Sequence, residues 1–233
     1  MKFKFPDSRI VILCKAPIAG TVKTRLVPPL TDDEAMRFHT ELAVRVISMT
    51  QASNLAPVRL WGSPDLNHPF FSEISDPKVT ETRIQAGGDL GERMHFAITH
   101  ALAEPDVKSA ILIGTDCVNL DEAYLSSALE ALNHSEACLG PAEDGGYGLI
   151  GLKQAEPQVF AGMEWGSDSV CAETARAMNI CFDHWQLLSL LWDVDRPEDL
   201  ERYNAQASET KHAGSCLPTT TELSYRQVVS QKG

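Results

Sequence analysis

Short apolar runs that stop abruptly at charged or glycine-bearing loops constrain this chain more than any other feature. Arg9-Ile-Val-Ile-Leu-Cys14 and Ser109-Ala-Ile-Leu-Ile-Gly114 have uninterrupted apolar centres, as strands covered on both faces require. Between such runs lie stretches with helical periodicity. Thr31-Asp-Asp-Glu34 has the form of a capping box, and Ala35, Phe38, Leu42 and Val46 then recur at the spacing of one helix face. Residues 57–61, 79–84, 136–140 and 147–152 read as further strands, and residues 89–103, 121–132 and 167–178 as helices. Residues 179–182 are expected as a short strand. Residues 196–203 open a last helix with Pro197 in its first turn.

This alternation implies a three-layer α/β/α sandwich with a mostly parallel central sheet. In such sheets ligands bind beyond the carboxyl ends of the strands. The length of 233 residues and the 43% apolar content allow one substantial core. The expected domain is residues 1–204. Residues 205–233 are rich in Ser, Thr and Gln and are expected to form a mobile tail.

The formal net charge of -12 excludes a general nucleic-acid or anionic-membrane binder, which needs a basic face. A basic cluster inside so acidic a chain must serve a specific anion. No stretch is apolar and long enough to span a bilayer. The amino terminus lacks the apolar core and cleavage site of a signal peptide, so a cytoplasmic location is expected. None of the six cysteines forms a C-x-x-C pair, and Cys14, Cys117 and Cys138 fall in or beside apolar runs, where they read as small core residues.

Chemistry-bearing residues gather where the strands end. Lys15, Lys23 and Arg25 surround a turn at Gly20, directly after the first strand. The segment is not a P-loop, because Val22 rather than glycine precedes Lys23. Gln85-Ala-Gly-Gly-Asp-Leu-Gly-Glu-Arg-Met94 places Gly87, Gly88 and Gly91 at a helix entry. Backbone there can approach an anion, or Asp89 can simply cap the helix. Asp116 follows a buried strand, where a carboxylate needs solvent, a partner or a metal. Asp193-Val-Asp195 supplies further carboxylates on one side of an extended segment, with Asp195 favoured as a ligand and Asp199 as support for the last helix. Asp144-Gly145-Gly146-Tyr147 forms a tight turn able to fold over a small ligand, with Asp144 placed for an acceptor hydroxyl or as a general base. Trp165 either stacks on a ligand or packs, and Ser167 or Asp168 is the expected cap of the helix that follows.

In chain order, Lys15-x-Pro17-x-Ala-Gly20-x-Val-Lys-Thr-Arg-Leu26, Gly87-Gly-Asp-Leu-Gly-Glu-Arg-Met94, Gly114-Thr-Asp-Cys117, Gly140-Pro-Ala-x-Asp-Gly-Gly-Tyr147, Trp165-Gly-Ser and Asp193-Val-Asp-x-Pro-Glu-Asp-Leu200 resemble one bacterial family. It is the family of glycosyltransferases, predicted from sequence, within the nucleotide-diphospho-sugar transferase (GT-A) superfamily. The likeness spans residues 9 to 203. The first loop and the last carboxylate motif also resemble molybdenum-cofactor and phospholactate nucleotidyltransferases.

The resemblance implies a Rossmann-like GT-A fold. It also implies a nucleotide held by Lys15, Pro17, Gly20, Lys23, Arg25, Gly87, Gly88, Asp89 and Gly91, and Mg²⁺ or Mn²⁺ at Asp116 and Asp195. The expected catalytic set is Asp116, Asp144, Lys23 and Arg25. An acceptor would meet Asp144, Gly145, Gly146, Tyr147 and Trp165. The implied partners are a nucleotide-sugar and a small acceptor, or a nucleoside triphosphate and a phosphorylated small molecule. A non-catalytic nucleotide binder is the third reading. Two positions depart from the family pattern: Val118 replaces a proline, and Gly148 replaces a second tyrosine and is expected to widen the acceptor pocket.

Overall fold

The computed structural model describes residues 2–212. Seven strands form one sheet in the order β3-β2-β1-β4-β6-β5-β7. They are β1 Ser8–Lys15, β2 Val58–Ser63, β3 Thr80–Ile84, β4 Ser109–Ile113, β5 Ala137–Pro141, β6 Tyr147–Leu152 and β7 Trp185–Leu187. All pairings are parallel except those of β6, which runs antiparallel to β4 and β5. The helices are α1 Asp32–Ala52, α2 Pro69–Ile74, α3 Leu90–Leu102, α4 Glu122–His134, α5 Val170–Cys181 and α6 Pro197–His212.

Side-chain alternation on the central strands builds the layers. Ile10, Ile12 and Cys14 of β1 with Ile111 and Ile113 of β4 pack against Val46 and Ile47 of α1, Phe70 and Phe71 of α2, and Leu125 and Leu129 of α4. Val11, Ala110 and Leu112 face the other way, onto Met94, Ala97 and Ile98 of α3 and Met178 of α5. Cys14, Cys117 and Cys138 are buried in this packing as free thiols. The expected three-layer α/β/α sandwich is therefore present.

Local signals acted as their chemistry requires. Thr31 accepts from the Glu34 amide while the Glu34 carboxylate accepts from the Thr31 amide, closing the capping box at the start of α1. Asp89 caps α3 through the Glu92 amide at 2.8 Å. Asp199 accepts from the Arg196 amide at 2.8 Å and steadies the entry to α6. That helix continues to His212, past the residue 204 boundary suggested by composition. The expected tail lies, for residues 213–233, outside the described residues.

Three local expectations are corrected. Residues 179–181 belong to α5 rather than to a strand, because Val170, Thr174 and Met178 extend its buried stripe to that point. The strand comes later, at Trp185–Leu187, and among the described residues pairs only with β5. Neither Ser167 nor Asp168 caps α5. Ser169 occupies that position without a side-chain cap bond, and its hydroxyl instead reaches Glu173 at 2.8 Å. The short helix α2, opened by Pro69 with His68 as its cap, was not expected.

An ion cluster lies near the amino ends of β1 and β2. Glu104 accepts from Arg9 Nε at 2.7 Å and from Arg59 Nε and Nη2 at 2.6 Å, and all three side chains are largely buried. Burial opposes the Glu104 charge, but the two guanidiniums outweigh it and hold its carboxyl below the usual range. Glu104→Gln is expected to destabilise the fold by about 2–3 kcal/mol at neutral pH, since it leaves two buried cations short of charge. A depressed folded-state pKa gives stability that is present above the usual glutamate value of about 4.3 and is lost as pH falls through the depressed value. Denaturant melts should therefore show a gap between wild type and variant at pH 7 that closes in strong acid.

Candidate phosphate and cation site

The candidate site stands at the carboxyl ends of β1 and β4. Beyond β1, the chain turns at Gly20 (φ 76°) and buries Val22 and Leu26, which pin the loop to the body of the protein. Leu26 sits with Phe38, Leu42, Trp192 and Val194 in a small apolar cluster of its own. Lys23, between these anchors, adopts a left-handed backbone (φ 50°), an unusual conformation for a residue with a side chain. Its ammonium points inward, with the side chain only 4% exposed.

Lys23 Nζ lies 2.8 Å from Asp116 Oδ1 and 3.8 Å from Asp195 Oδ1. Arg25 Nη1 donates to Asp195 Oδ2 at 2.7 Å, while its own side chain remains 58% exposed. Burial alone would push the Lys23 ammonium down, but Asp116, Asp195 and Asp193 hold it above its ordinary value. Burial likewise opposes the Asp116 charge, yet Lys23, His39 and Lys15 keep that carboxyl below the usual range. Asp193 lacks a comparable partner. Burial and the charges of Asp144, Asp195 and Asp116 raise it to about 6, with only partial relief from Lys23.

Backbone pairing makes the two carboxylate segments meet. Cys117 and Asp193 form an antiparallel bridge, and the Val118 amide donates to the Trp192 carbonyl at 2.9 Å. Asn119 clamps the same strip, donating to the Leu190 carbonyl and accepting from the Trp192 amide. Arg45, on α1, donates to the carbonyls of Cys117 and Leu120 and so fixes the loop that carries Asp116. His39 Nε2 donates to the Lys15 carbonyl at 3.0 Å, and its Nδ1 lies 4.0 Å from Asp116 Oδ1. Burial lowers the His39 pKa despite the pull of Asp116, and the ring's bond to the Lys15 carbonyl ties α1 to the end of β1.

Asn119, Arg45 and His39 were not singled out from the sequence. For His39 a signal existed. A histidine at 39 falls on the buried stripe of α1 that Ala35, Leu42 and Val46 define, and such a residue needs a partner.

Beside the ion pairs opens a cavity of about 540 Å³ lined by Arg25, Asp144, Ser167, Asp168, Asp193 and Asp195, among others. Asp144 Oδ1 accepts from the Gly146 amide at 2.9 Å, which tightens the turn without closing the cavity. Gly145 (φ 87°) lies against the Asp168 backbone, and its carbonyl accepts from the Cys171 amide at 2.8 Å. The turn thus holds Asp144 at the mouth.

Other expected ligand contacts are not drawn together here. Tyr147 does not line the cavity. It packs into the core on the α3 side, its hydroxyl directed at Met94 Sδ at 3.8 Å. Trp165 also packs rather than lining the cavity. A Cβ on Gly91 would meet its ring at 2.6 Å, so Gly91 serves helix packing and is not open to a ligand. Gly148 does not widen the cavity either, because Cys117 Sγ and Leu191 fill the space its side chain would take. Pro17 is buried, whereas Lys15 and Gly20 are exposed beside the cation loop. Gly87 (φ 126°), Gly88 and Asp89 form an exposed turn beyond β3. Gln85 ties that turn to the neighbouring strand ends by donating to the Cys14 and Trp61 carbonyls at 3.2 and 2.8 Å.

The sheet order and the loops gathered at its carboxyl edge define a nucleotide-diphospho-sugar transferase fold. The same fold is seen in a protein from Desulfovibrio desulfuricans G20 described as a candidate nucleotide-diphospho-sugar transferase. The two chains share 29% identity over 97% of this chain and 98% of the other, with a TM-score of 0.79. The family described as "Uncharacterized protein conserved in bacteria (DUF2064)" matches residues 46–167, more than half of the chain, and the protein belongs to that family.

More distant structures share the fold alone. One is 4-diphosphocytidyl-2C-methyl-D-erythritol synthase from Anaerococcus prevotii, at 9% identity over 89% and 96% of the two chains (TM-score 0.56). Another is Rv0371c from Mycobacterium tuberculosis in complex with manganese, at 15% identity over 84% and 97% (TM-score 0.50). No curated protein matches the chain in sequence. Among the described residues, no helix is long and apolar enough to cross a membrane.

Proposed function

We propose that the protein is a metal-dependent transferase that binds a nucleotide-diphospho-sugar and passes the sugar to a small acceptor. One observation carries this reading: Lys23, Arg25, Asp116 and Asp195, from loops far apart in sequence, form a single ion-paired cluster beside a cavity at the carboxyl edge of the sheet. The name of the Desulfovibrio relative supports the donor class.

Lys15, Lys23 and Arg25 would hold the diphosphate, and the turn at Gly87 to Asp89 would approach the nucleoside with its backbone. Asp116 and Asp195 offer hard oxygen donors. Among the described residues no three His, Cys, Asp or Glu side chains converge as a complete metal cage. The donor set still fits Mg²⁺ or Mn²⁺, because Mg²⁺ commonly takes one or two carboxylates and completes its shell with phosphate and water. The manganese complex of Rv0371c supports such a role. A bound ion supplies charge for the leaving diphosphate.

Asp144 would take the proton of the acceptor hydroxyl as its oxygen attacks the anomeric carbon and the carbon–phosphate oxygen bond breaks. The cations of the first loop would receive the charge that builds on the departing nucleoside diphosphate.

Nucleotidyl transfer is the second reading, favoured by the crowding of Lys15, Lys23 and Arg25 and by the name of the Anaerococcus relative. The same groups would then stabilise pyrophosphate leaving a nucleoside triphosphate. Thermal-shift screening with Mn²⁺ against nucleotide-sugars and triphosphates decides between them, since a bound ligand raises the melting temperature by mass action. Selective stabilisation by a nucleotide-sugar is the expected result. Selective stabilisation by a triphosphate would favour the second reading, and no response to either would remove both.

Arg25 gives a narrower check. Arg25→Ala should weaken a nucleoside diphosphate about 10–100-fold, the worth of a charge-assisted hydrogen bond, while changing the free nucleoside by about twofold or less. Equal weakening of the two in calorimetric titrations would take Arg25 away from the phosphates.

A further inference from the structure

We infer that Lys23 is the resident cation of the Asp116–Asp195 pair in the unliganded protein, so that a divalent ion can settle there only once the ammonium has been drawn off. This rests on the proposed reading of the site and extends it to the order of binding. The ammonium stands 2.8 Å from Asp116 Oδ1 and 3.8 Å from Asp195 Oδ1. That oxygen of Asp116 is itself buried and meets the ammonium, although the side chain as a whole is 45% exposed. An ion coordinated by Asp116 Oδ1 would need a ligand distance of about 2.1 Å, in space the ammonium now fills, and would face its charge at close range.

The loop is built to place Lys23 inward. Val22 and Leu26 are buried on either side of it, and its own backbone is left-handed. Lys15 and Arg25 stay largely open to solvent at the rim. The long, flexible lysine stem allows the ammonium to move outward to a phosphate without moving these anchors. Arriving phosphates would give Lys23 a new anionic partner and free Asp116, and Arg25, paired with Asp195 at 2.7 Å, would turn to the same phosphates and free Asp195. Nucleotide and metal then bind in one linked event, and the free protein discriminates against bare divalent ions.

The test is Mn²⁺ alone, titrated by calorimetry and by the loss of its free-ion paramagnetic resonance signal into the full chain without nucleotide. Wild type, Lys23→Met and Lys15→Met are compared. Lys23→Met should bind Mn²⁺ at least about tenfold more tightly than wild type, while Lys15→Met should stay within about threefold. In thermal melts, Mn²⁺ should raise the melting temperature of Lys23→Met more than that of wild type, and Lys23→Gln, which keeps a polar end, should behave in the same way. Unchanged Mn²⁺ affinity in both Lys23 variants overturns the inference. So does an equal gain in Lys15→Met, which would show a diffuse field effect, or no Mn²⁺ binding by any form. Failure of the proposed function is distinct, because it appears as the absence of nucleotide-dependent stabilisation in wild type.

Discussion

Asp116→Asn should lower turnover by roughly 10²–10³-fold, the usual loss when one charged group that stabilises a developing anion is removed. The substitution keeps the shape of the side chain and leaves an amide oxygen that can still accept from Lys23. Asp195, 3.8 Å from the same ammonium, also remains. The fold should therefore survive, with a loss of about 1–3 kcal/mol for one weakened charge-assisted bond. The carboxylate charge is gone, however, and the loop that carries Asp116 is held in place. Arg45 and Asn119 fix its loop, and His39 lies behind its buried oxygen. Steady-state rates measured well below the melting temperature separate the two effects. A variant that folds and turns over like wild type would remove Asp116 from the chemistry.

Gly145→Ala should be nearly as damaging by a different route. At φ 87°, an L side chain costs roughly 1–2 kcal/mol in backbone conformation alone. The added Cβ would also fall on the backbone carbonyl of Asp168, a rigid neighbour rather than a flexible side-chain end. The turn bearing Asp144 must then part from the segment before α5, and the bond from the Cys171 amide to the Gly145 carbonyl is lost. A total of about 3 kcal/mol or more follows, lowering the melting temperature by roughly 6–12 °C for a chain of this size. Acceptor affinity should fall with it, because Asp144 moves. Gly162→Ala is the matching control. Its φ of 73° is also positive, but nothing lies within 4 Å of the added Cβ, so only the conformational cost remains. Equal melting temperatures for the two variants would show that the contact with Asp168 does not matter.

Much of this architecture was legible in the sequence because its signals are local. A capping box at Thr31, continuous apolar runs at residues 9–14 and 109–114, and Asp89 before a helix each act through neighbours a few residues away. The strand at Trp185–Leu187 was misplaced for the opposite reason. It is a short, mostly open edge strand held by pairing with β5, and no apolar run announces it. The charged members of the site could be read because lysine, arginine and aspartate at strand ends need partners, and the sheet supplies the convergence. Asn119 and Arg45 could not be found by motif, since they work by holding backbone carbonyls of a loop distant in sequence. Tyr147, Gly91 and Trp165 show the reverse. Their pattern resembled ligand contacts, yet they face one another or the core, and only three-dimensional packing reveals it.

The most direct measurement is the calorimetric affinity of wild-type protein for the nucleotide selected by thermal shift, taken once with Mn²⁺ and once with excess chelator. Affinity should fall at least about tenfold in chelator if nucleotide and divalent ion share the carboxylates of Asp116 and Asp195. Equal affinity under the two conditions would contradict a metal-linked nucleotide site at the carboxyl edge of this sheet.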